Sequence, residues 1–473
     1  MKRILTSCYL GALLAGGLAA PAAAQVVATY PVGATTVTLS NLTTGLDTPW
    51  ELLWGPDNFL WMTERGGRIS RINPTTGQLL PLLTLSDVTQ GGESGLLGMT
   101  VVPIASTQGG SAYVFVVYNY TDGGLKEKVV RYTYTNGTLT APLVILGNIP
   151  AANIHSGSRL LALPDNTLLV TTGDAANTSL SQNSQSLNGK ILRMNFDGTV
   201  PANNPTPGSL VYTIGHRNPQ GLVRVAATGR VYSSEHGPSN DDEVNLIEPG
   251  RNYGWPNVEG LCNLPAEQTF CQQNNVREPL AVWTPTLAVA GITYYDHPAI
   301  PGWRNSLLMA SLKAGTLTQL ILTTGGEAIA QQANVWAGTY GRLRAICTSP
   351  QGRVYVATSN RDGRGNPAAQ DDRVMVLENR AFVTSAKSTR TATFALYPNP
   401  STTSTTLQLP AKLGAATGVE VVDALGRQVY NASFPAGQQR AVLPSQAWSP
   451  GVYTVRVASP GLSFTPQRLV LAR

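Results

Sequence analysis

One local signal recurs six times along the chain. A short turn built from Pro, Gly, Asp or Asn is followed by a run of alternating bulky residues. The turns are Pro56-Asp57-Asn58 before FLWMTE, Gln108-Gly109-Gly110 before SAYVFVVY, Pro164-Asp165-Asn166 before TLLVTT, Ala227-Thr228-Gly229 before RVYSSE, Pro301-Gly302-Trp303 before RNSLLMASL, and Pro350-Gln351-Gly352 before RVYVATS. Turn residues followed by period-two alternation predict strands. Most of these runs are preceded by another, such as ELLWG, SRLLAL, GLVRV or LRAICTS, so each unit reads as a hairpin. The turns stand about 50–75 residues apart, the length of one blade of a radial propeller with variable loops. A single four-stranded blade cannot bury both of its faces. A ring of blades can, and the central channel becomes the natural site. A β-sandwich would need fewer strands. The expected fold is therefore all-β, a six-bladed β-propeller over residues 25–380.

After Asn379 the composition changes. AFVTSAKSTRTAT is small, polar and Thr-rich, and residues 381–394 read as a linker. LYPNPSTTSTTLQLP, GVEVVDALGRQVY, GVYTVRV and QRLVLAR then give short alternating strands, which predicts a small β-sandwich over residues 395–473. At the other end, Lys2 and Arg3, an apolar run from Ile4 to about Ala20, and Ala22-Ala23-Ala24 before Gln25 read as a signal peptide over residues 1–24. No later segment reaches membrane-spanning length, so a secreted or cell-surface protein is expected. In an oxidising compartment Cys262 and Cys271, in the polar loop GLCNLPAEQTFCQQNN, read as a local disulfide. Cys347, in the apolar run RAICTS, reads as core.

The formal net charge is +6, with Lys and Arg scattered singly or in pairs. A nucleic-acid binder would cluster them, so no nucleic-acid partner is expected. Separate cations suit a small anionic ligand instead. IHSGSRL places His155 just before a strand, where a propeller side chain can point into the channel as a general base. The alternative is a structural histidine. Asp174, in TTGDAAN, follows the next strand and could orient His155, or be a plain turn residue. YTIGHRNPQGL brings Arg217, Asn218 and Gln220 together beside a proline turn. Consecutive polar groups of this kind are expensive to bury unless a ligand or partner satisfies them. SEHGPSNDDEVN puts Gly237 and Pro238 at a bend whose carbonyls can act as hard ligands for Ca²⁺, with Asp241, Asp242 and Glu243 nearby. Arg342 and Arg344, two apart on a strand, point the same way and repel unless an anion or carboxylates pair with them. With Lys313 they are either ligand anchors or solvated surface charges. Walker, HExxH, zinc-type Cys/His and GxSxG patterns are absent.

Taken in order, TPWELLWGPDNFLWMTERGGRI, ESGLLGM, IHSGSRL, VTTGD, NGKILRMNFDGTVPANNP, IGHRNPQGL, SEHGPSNDDEVNLI, NYGWPNVEG, SLKAG and GRLRAI resemble the soluble glucose and aldose sugar dehydrogenases that use pyrroloquinoline quinone (PQQ) and calcium. The resemblance implies that His155 removes the proton of the anomeric hydroxyl of an aldose, with Asp174 orienting it and Arg217 beside the reacting quinone. It implies that Asn218, Gln220, Lys313, Arg342 and Arg344 anchor PQQ, and that the carbonyls of Gly237 and Pro238 hold Ca²⁺. It places Glu93 at the substrate and calls for an external electron acceptor. Two departures stand out. The family's glycine pair after the histidine is Gly157-Ser158 here, and the long substrate loop of the glucose enzymes is missing, which favours an open cleft and broad aldose specificity. Residues 395–473 resemble the type A C-terminal sorting domain of the type IX (Por) secretion system, through YPNPS, VVDALGRQVY and GVYTVRV, which implies that machinery as a partner. The competing reading is a surface propeller that binds glycan or protein without redox chemistry. A binding module has no need of His155, Arg217, Asn218, Lys313, Arg342 and Arg344 together.

Overall fold

The structure is a computed structural model and describes residues 26–104, 111–382, 390–413, 416–424, 427–459 and 462–472. The expected signal peptide, the turn at Gln108 and half of the expected linker lie outside them. The chain divides into two compact units, Met1–Arg380 and Ala381–Arg473.

The first unit is built from antiparallel meanders. Five sheets have four strands each, opening with Pro49–Trp54, Leu96–Pro103, Gly157–Ala162, Pro219–Arg224 and Val289–Tyr295. A further sheet begins with Leu343–Thr348, Val354–Thr358 and Val374–Glu378, and is completed by Thr35–Thr43 and Val26–Val32 from the start of the chain. Each opening strand packs against the opening strand of the next sheet, and Leu343–Thr348 packs back against Pro49–Trp54, which closes the cycle. The turns read from the sequence join first and second strands. Asn58, Asn166, Gly229 and Gly352 take the positive φ that these reversals require.

Apolar clusters fill the wedges between neighbouring sheets. Trp61, Met99, Val114 and Val130 interlock in one wedge, Phe115, Val117, Val170 and Leu192 in the next. Burying one such side chain stabilises by about 1.5–3 kcal/mol. Both faces of each sheet are used, as the blade argument requires. Cys347 is buried in the cluster holding Leu52, Tyr355 and Val374.

All six opening strands carry a register irregularity near their start, at Pro49/Glu51, Leu96/Met99, Gly157/Leu160, Pro219/Gly221, Val289/Ile292 and Leu343/Ala345. A β-bulge re-aims side chains and ends regular pairing. Here the bulges lie at the same end of the innermost strands, and residues just before five of the six line a common mouth.

Cys262 and Cys271 form a disulfide. The segment read as a loop is partly helical, however, with Pro265–Gln273 forming a helix. Pro265 sits in its first turn, and the Glu267 carboxylate accepts the Leu264 N–H at 2.9 Å, an N-terminal cap that spacing between cysteines does not reveal.

The second unit contains a sheet of Arg390–Ala392, Leu462–Phe464, Gly451–Ser459, Thr417–Val422 and Gln428–Phe434, with Gln467–Leu471 also pairing to Gly451–Ser459. A three-stranded sheet of Ala395–Tyr397, Thr405–Gln408 and Arg440–Leu443 lies over a shared core that includes Leu407, Val421, Leu443 and Val455. Arg390–Ala392 falls within the stretch read as linker. Among the described residues no helix is long and apolar enough to cross a membrane.

Candidate active site

A cavity of about 430 Å³ occupies the mouth of the first unit. Glu93, His155, Arg217, Asn218, Gly237, Pro238, Lys313, Arg342 and Arg344 line it, so the structure brings together most of the residues singled out from sequence.

His155 stands two residues before its strand with φ 60°, a left-handed conformation held by its surroundings. Its backbone N–H donates to Glu93 Oε2 at 3.0 Å. A Cβ on Gly173 would lie 1.8 Å from the His155 carbonyl oxygen, so only glycine lets the two backbones meet here. The ring Nδ1 lies 2.7 Å from Asp174 Oδ1. Asp174 is fully buried behind the cavity wall, and its Oδ2 accepts Trp255 Nε1–H at 2.9 Å. With a carboxylate as its acceptor Nδ1 is the donor, which leaves Nε2 as the ring nitrogen that can exchange a proton.

Cations dominate the rest of the wall. Arg65, Arg217, Lys313, Arg342, Arg344 and Arg364 face three carboxylates, Glu93, Asp242 and Asp362. Arg342 Nε is paired with Asp362 at 2.7 Å, which answers half of the repulsion expected between Arg342 and Arg344. Arg344 has no such pairing among the described residues. It is 3% exposed, its Nη1 donates to Gln220 Oε1, and burial pushes its pKa down to about 9. Burial also lowers the pKa of Arg65 and Arg217. Among the described residues, the Nε atoms of Arg65, Arg217 and Arg344 are buried without a hydrogen-bond partner. Lys313 Nζ donates to the Thr286 hydroxyl at 3.1 Å. Burial acts to raise the Glu93 pKa, but the His236 ring, the His155 amide and Arg344 outweigh it and hold the carboxyl below its ordinary value.

Two expected anchors stand differently. Gln220 is buried behind Arg344 and does not line the cavity, so it holds the arginine. Asn218 lines the cavity, but its amide accepts Gly157 N–H at 3.0 Å and donates to Glu93 Oε2 at 3.1 Å, locking the turns that carry Glu93 and His155. At Gly237 the chain folds so tightly that a Cβ would lie 2.0 Å from the Asn240 carbonyl, and Asp242 Oδ1 accepts the Gly237 N–H at 2.9 Å. Asp242 is thus a brace for this bend. Among the described residues no group of three or more His, Cys, Asp or Glu is arranged to hold a metal.

Sequence reasoning missed Arg65, Trp255, His236, Asp362 and Arg364. Trp255 was legible only as part of NYGWP, and in SNRDGRG it is Asp362 that pairs Arg342 and Arg364 that lines the cavity. Burial pushes the His236 pKa down to about 4, against the opposing pull of the Glu93 carboxylate.

Fold and site together define a β-propeller whose mouth pairs a His–Asp couple with an excess of cations, two of them, Arg65 and Arg344, buried. Residues 46–367 match the Glucose / Sorbosone dehydrogenase family, and the chain belongs to it. Quinoprotein glucose dehydrogenase B of Acinetobacter calcoaceticus is 32% identical over 433 residues, covering 72% of this chain and 88% of the relative. An aldose sugar dehydrogenase of Escherichia coli is 26% identical over 346 residues, covering 69% and 91%. The structure of the PQQ-bound form of aldose sugar dehydrogenase from Streptomyces coelicolor superposes with a TM-score of 0.62 at 34% identity, covering 74% of this chain and 99% of that one. Residues 395–471 match the secretion system C-terminal sorting domain.

Proposed function

We propose that this chain is an exported PQQ-dependent sugar dehydrogenase, built as a six-bladed propeller with a C-terminal sorting sandwich, that oxidises the anomeric hydroxyl of aldoses to lactones. The observation that carries the reading is the set of buried guanidinium Nε atoms of Arg65, Arg217 and Arg344, unpaired among the described residues, around one cavity. Such groups are expensive to bury alone and call for an anion. PQQ is a tricarboxylate, and its charge matches the excess of six cations over three carboxylates on the wall. Arg217, Lys313, Arg342 and Arg344 would hold it, with Gln220 and Asn218 fixing Arg344 and the surrounding turns. The carbonyls of Gly237 and Pro238 would hold Ca²⁺ together with oxygens of the cofactor, a donor set of hard oxygens that suits this ion. When bound, the quinone supplies a two-electron acceptor for hydride from C1.

The protein's own part in the reaction is to bind, orient and move a proton. His155 Nε2 accepts the proton of the anomeric hydroxyl. The adjoining Asp174 carboxylate favours the resulting imidazolium and fixes the ring plane. Glu93 holds the His155 backbone and presents its carboxylate to sugar hydroxyls. Electrons then leave to an external acceptor. The C-terminal unit directs the chain to the type IX secretion machinery, and residues 1–24 direct it through the inner membrane.

The test is reconstitution. Protein incubated with PQQ and Ca²⁺ is assayed for dye reduction with several aldoses. Sugar-dependent reduction that requires both additions supports the reading. A folded protein that stays silent with every sugar and simple alcohol identifies a binding propeller instead.

A further inference from the structure

A second pocket, of about 520 Å³, adjoins the first and shares Leu312, Lys313, Arg342 and Arg364 with it. We infer that this pocket is a subsite for an anionic glycosyl unit, so that the substrates are acidic oligosaccharides oxidised at their reducing end. The inference rests on the sugar dehydrogenase reading and narrows its substrate class.

Charge is the first argument. Lys313, Arg342, Arg364 and Arg373 line the pocket against a single carboxylate, Asp371. Asp371 lies 3.3 Å from Arg373, and Arg342 is held by Asp362. Arg364 is left with Glu93 at 3.7 Å, and its side chain is 60% exposed. Lys313 and Arg342 also face the cavity assigned to PQQ, so Arg364 and Arg373 are the cations this pocket offers a second anion. Neutral hydroxyls need amides and carboxylates rather than a surplus of cations, whereas a uronate carboxylate matches the guanidinium fork.

Rigidity is the second argument. The pocket is folded around Asn360, whose amide donates to the Tyr340 carbonyl at 3.0 Å and to Asp371 Oδ2 at 2.9 Å and accepts the Arg342 N–H at 2.7 Å. A Cβ on Gly341 would lie 2.2 Å from the Asn360 side chain, and one on Gly365 2.5 Å from its carbonyl. A concave surface fixed in advance loses little entropy on binding.

Continuity is the third argument. With PQQ on the cationic wall of the first cavity, a sugar with C1 at His155 takes the space that remains, and a unit linked to it would extend past the shared Arg364 into the second. A free anion could reach the same cations, so the experiment separates the two cases.

Holoenzyme reconstituted with PQQ and Ca²⁺ is compared on cellobiose and cellobiuronic acid, which differ by one carboxylate. The acid is expected to have a kcat/KM roughly tenfold higher or more, as a hydrogen bond to a charged group allows, and added salt should narrow the gap. Arg364→Gln should bring the ratio toward unity. Methyl β-D-glucuronoside, which has no free anomeric hydroxyl, should bind by calorimetry and compete with the acid, and Arg373→Gln should weaken that binding. Equal kcat/KM values for the two disaccharides, or competition by acetate as effective as by the glucuronoside, overturns the inference and leaves the dehydrogenase reading standing. If neither disaccharide nor any monosaccharide is oxidised by protein that holds PQQ, that reading falls and takes the inference with it.

Discussion

The indole Nε1–H of Trp255 donates to Asp174 Oδ2 at 2.9 Å, while Oδ1 of the same carboxylate faces His155 Nδ1 at 2.7 Å. The two contacts fix both carboxylate oxygens, so the histidine ring has one plane and one tautomer. Trp255 also carries the Arg217 guanidinium 5.3 Å from its ring centroid. Trp255→Phe keeps the ring face and removes the donor. We expect kcat to fall by about tenfold with KM little changed, because the carboxylate is left partly unsatisfied at about 1–3 kcal/mol. The acid limb of the kcat/KM profile should move as well, which a merely structural loss would not produce. An unchanged profile would remove the positioning role.

His155→Ala deletes the only atom in the site proposed to accept the hydroxyl proton. General-base removal lowers turnover by about 10²–10⁴-fold. Cofactor retention should be untouched, since the anchoring cations lie elsewhere on the wall. Titration of PQQ absorbance against the variant checks the second half, and stopped dye reduction the first.

Arg342 and Arg344 separate stability from binding. Arg342 neutralises the buried Asp362, so Arg342→Ala should lower both the melting temperature and PQQ affinity. Arg344 carries a buried charge that donates to the Gln220 amide oxygen and lies over the Trp50 ring, with no ion pair among the described residues. Arg344→Met, similar in volume, should leave the melting temperature of cofactor-free protein unchanged or raised. It should weaken PQQ binding by about 30-fold or more, the expected loss when one partner of a buried charge pair is removed. Calorimetry with and without PQQ reads both effects.

The repeat of turn and strand was legible because a hairpin is a local object: turn chemistry and period-two alternation lie within a dozen residues. The bulges were not, since a register shift depends on what the neighbouring strand offers, and they are what aim His155, Arg217 and Arg342 into one mouth. Positions bearing an unusual side chain next to a turn were found from the sequence. Contacts by which one residue acts through another were not legible: Gln220 behind Arg344, Asp242 bracing Gly237, and Trp255 behind Asp174. Their roles depend on contacts between sheets far apart in sequence. The helix between the cysteines escaped because its cap lies in Pro265 and Glu267, inside a stretch read for its polarity.

Ser158, where the family pattern has glycine, gives a pH prediction. It holds φ 66°, and its Oγ lies 2.6 Å from Glu127 Oε2 and 3.1 Å from the Ser156 carbonyl. One hydroxyl hydrogen cannot serve both acceptors. Glu127 is 2% exposed, and burial, only partly offset by the nearby Ser158 hydroxyl and Asn119 amide, pushes its pKa up from 4.5 to about 8. At neutral pH the protonated acid therefore donates to Oγ, and Oγ–H donates to the carbonyl. Because the folded protein keeps this proton while the unfolded chain releases it above about pH 4.5, the stabilisation is complete at lower pH. It fades at ~1.4 kcal/mol per pH unit as pH rises toward 8. Glu127→Gln keeps a neutral, hydrogen-bonding group at every pH. The stability of the wild type minus that of the variant, from urea unfolding between pH 5 and 9, should therefore fall with rising pH and level off above about 8. Glu243, also pushed up to about 8 by burial, contributes equally to both proteins and cancels in the difference. A difference independent of pH would show that Glu127 is ionised in the folded state.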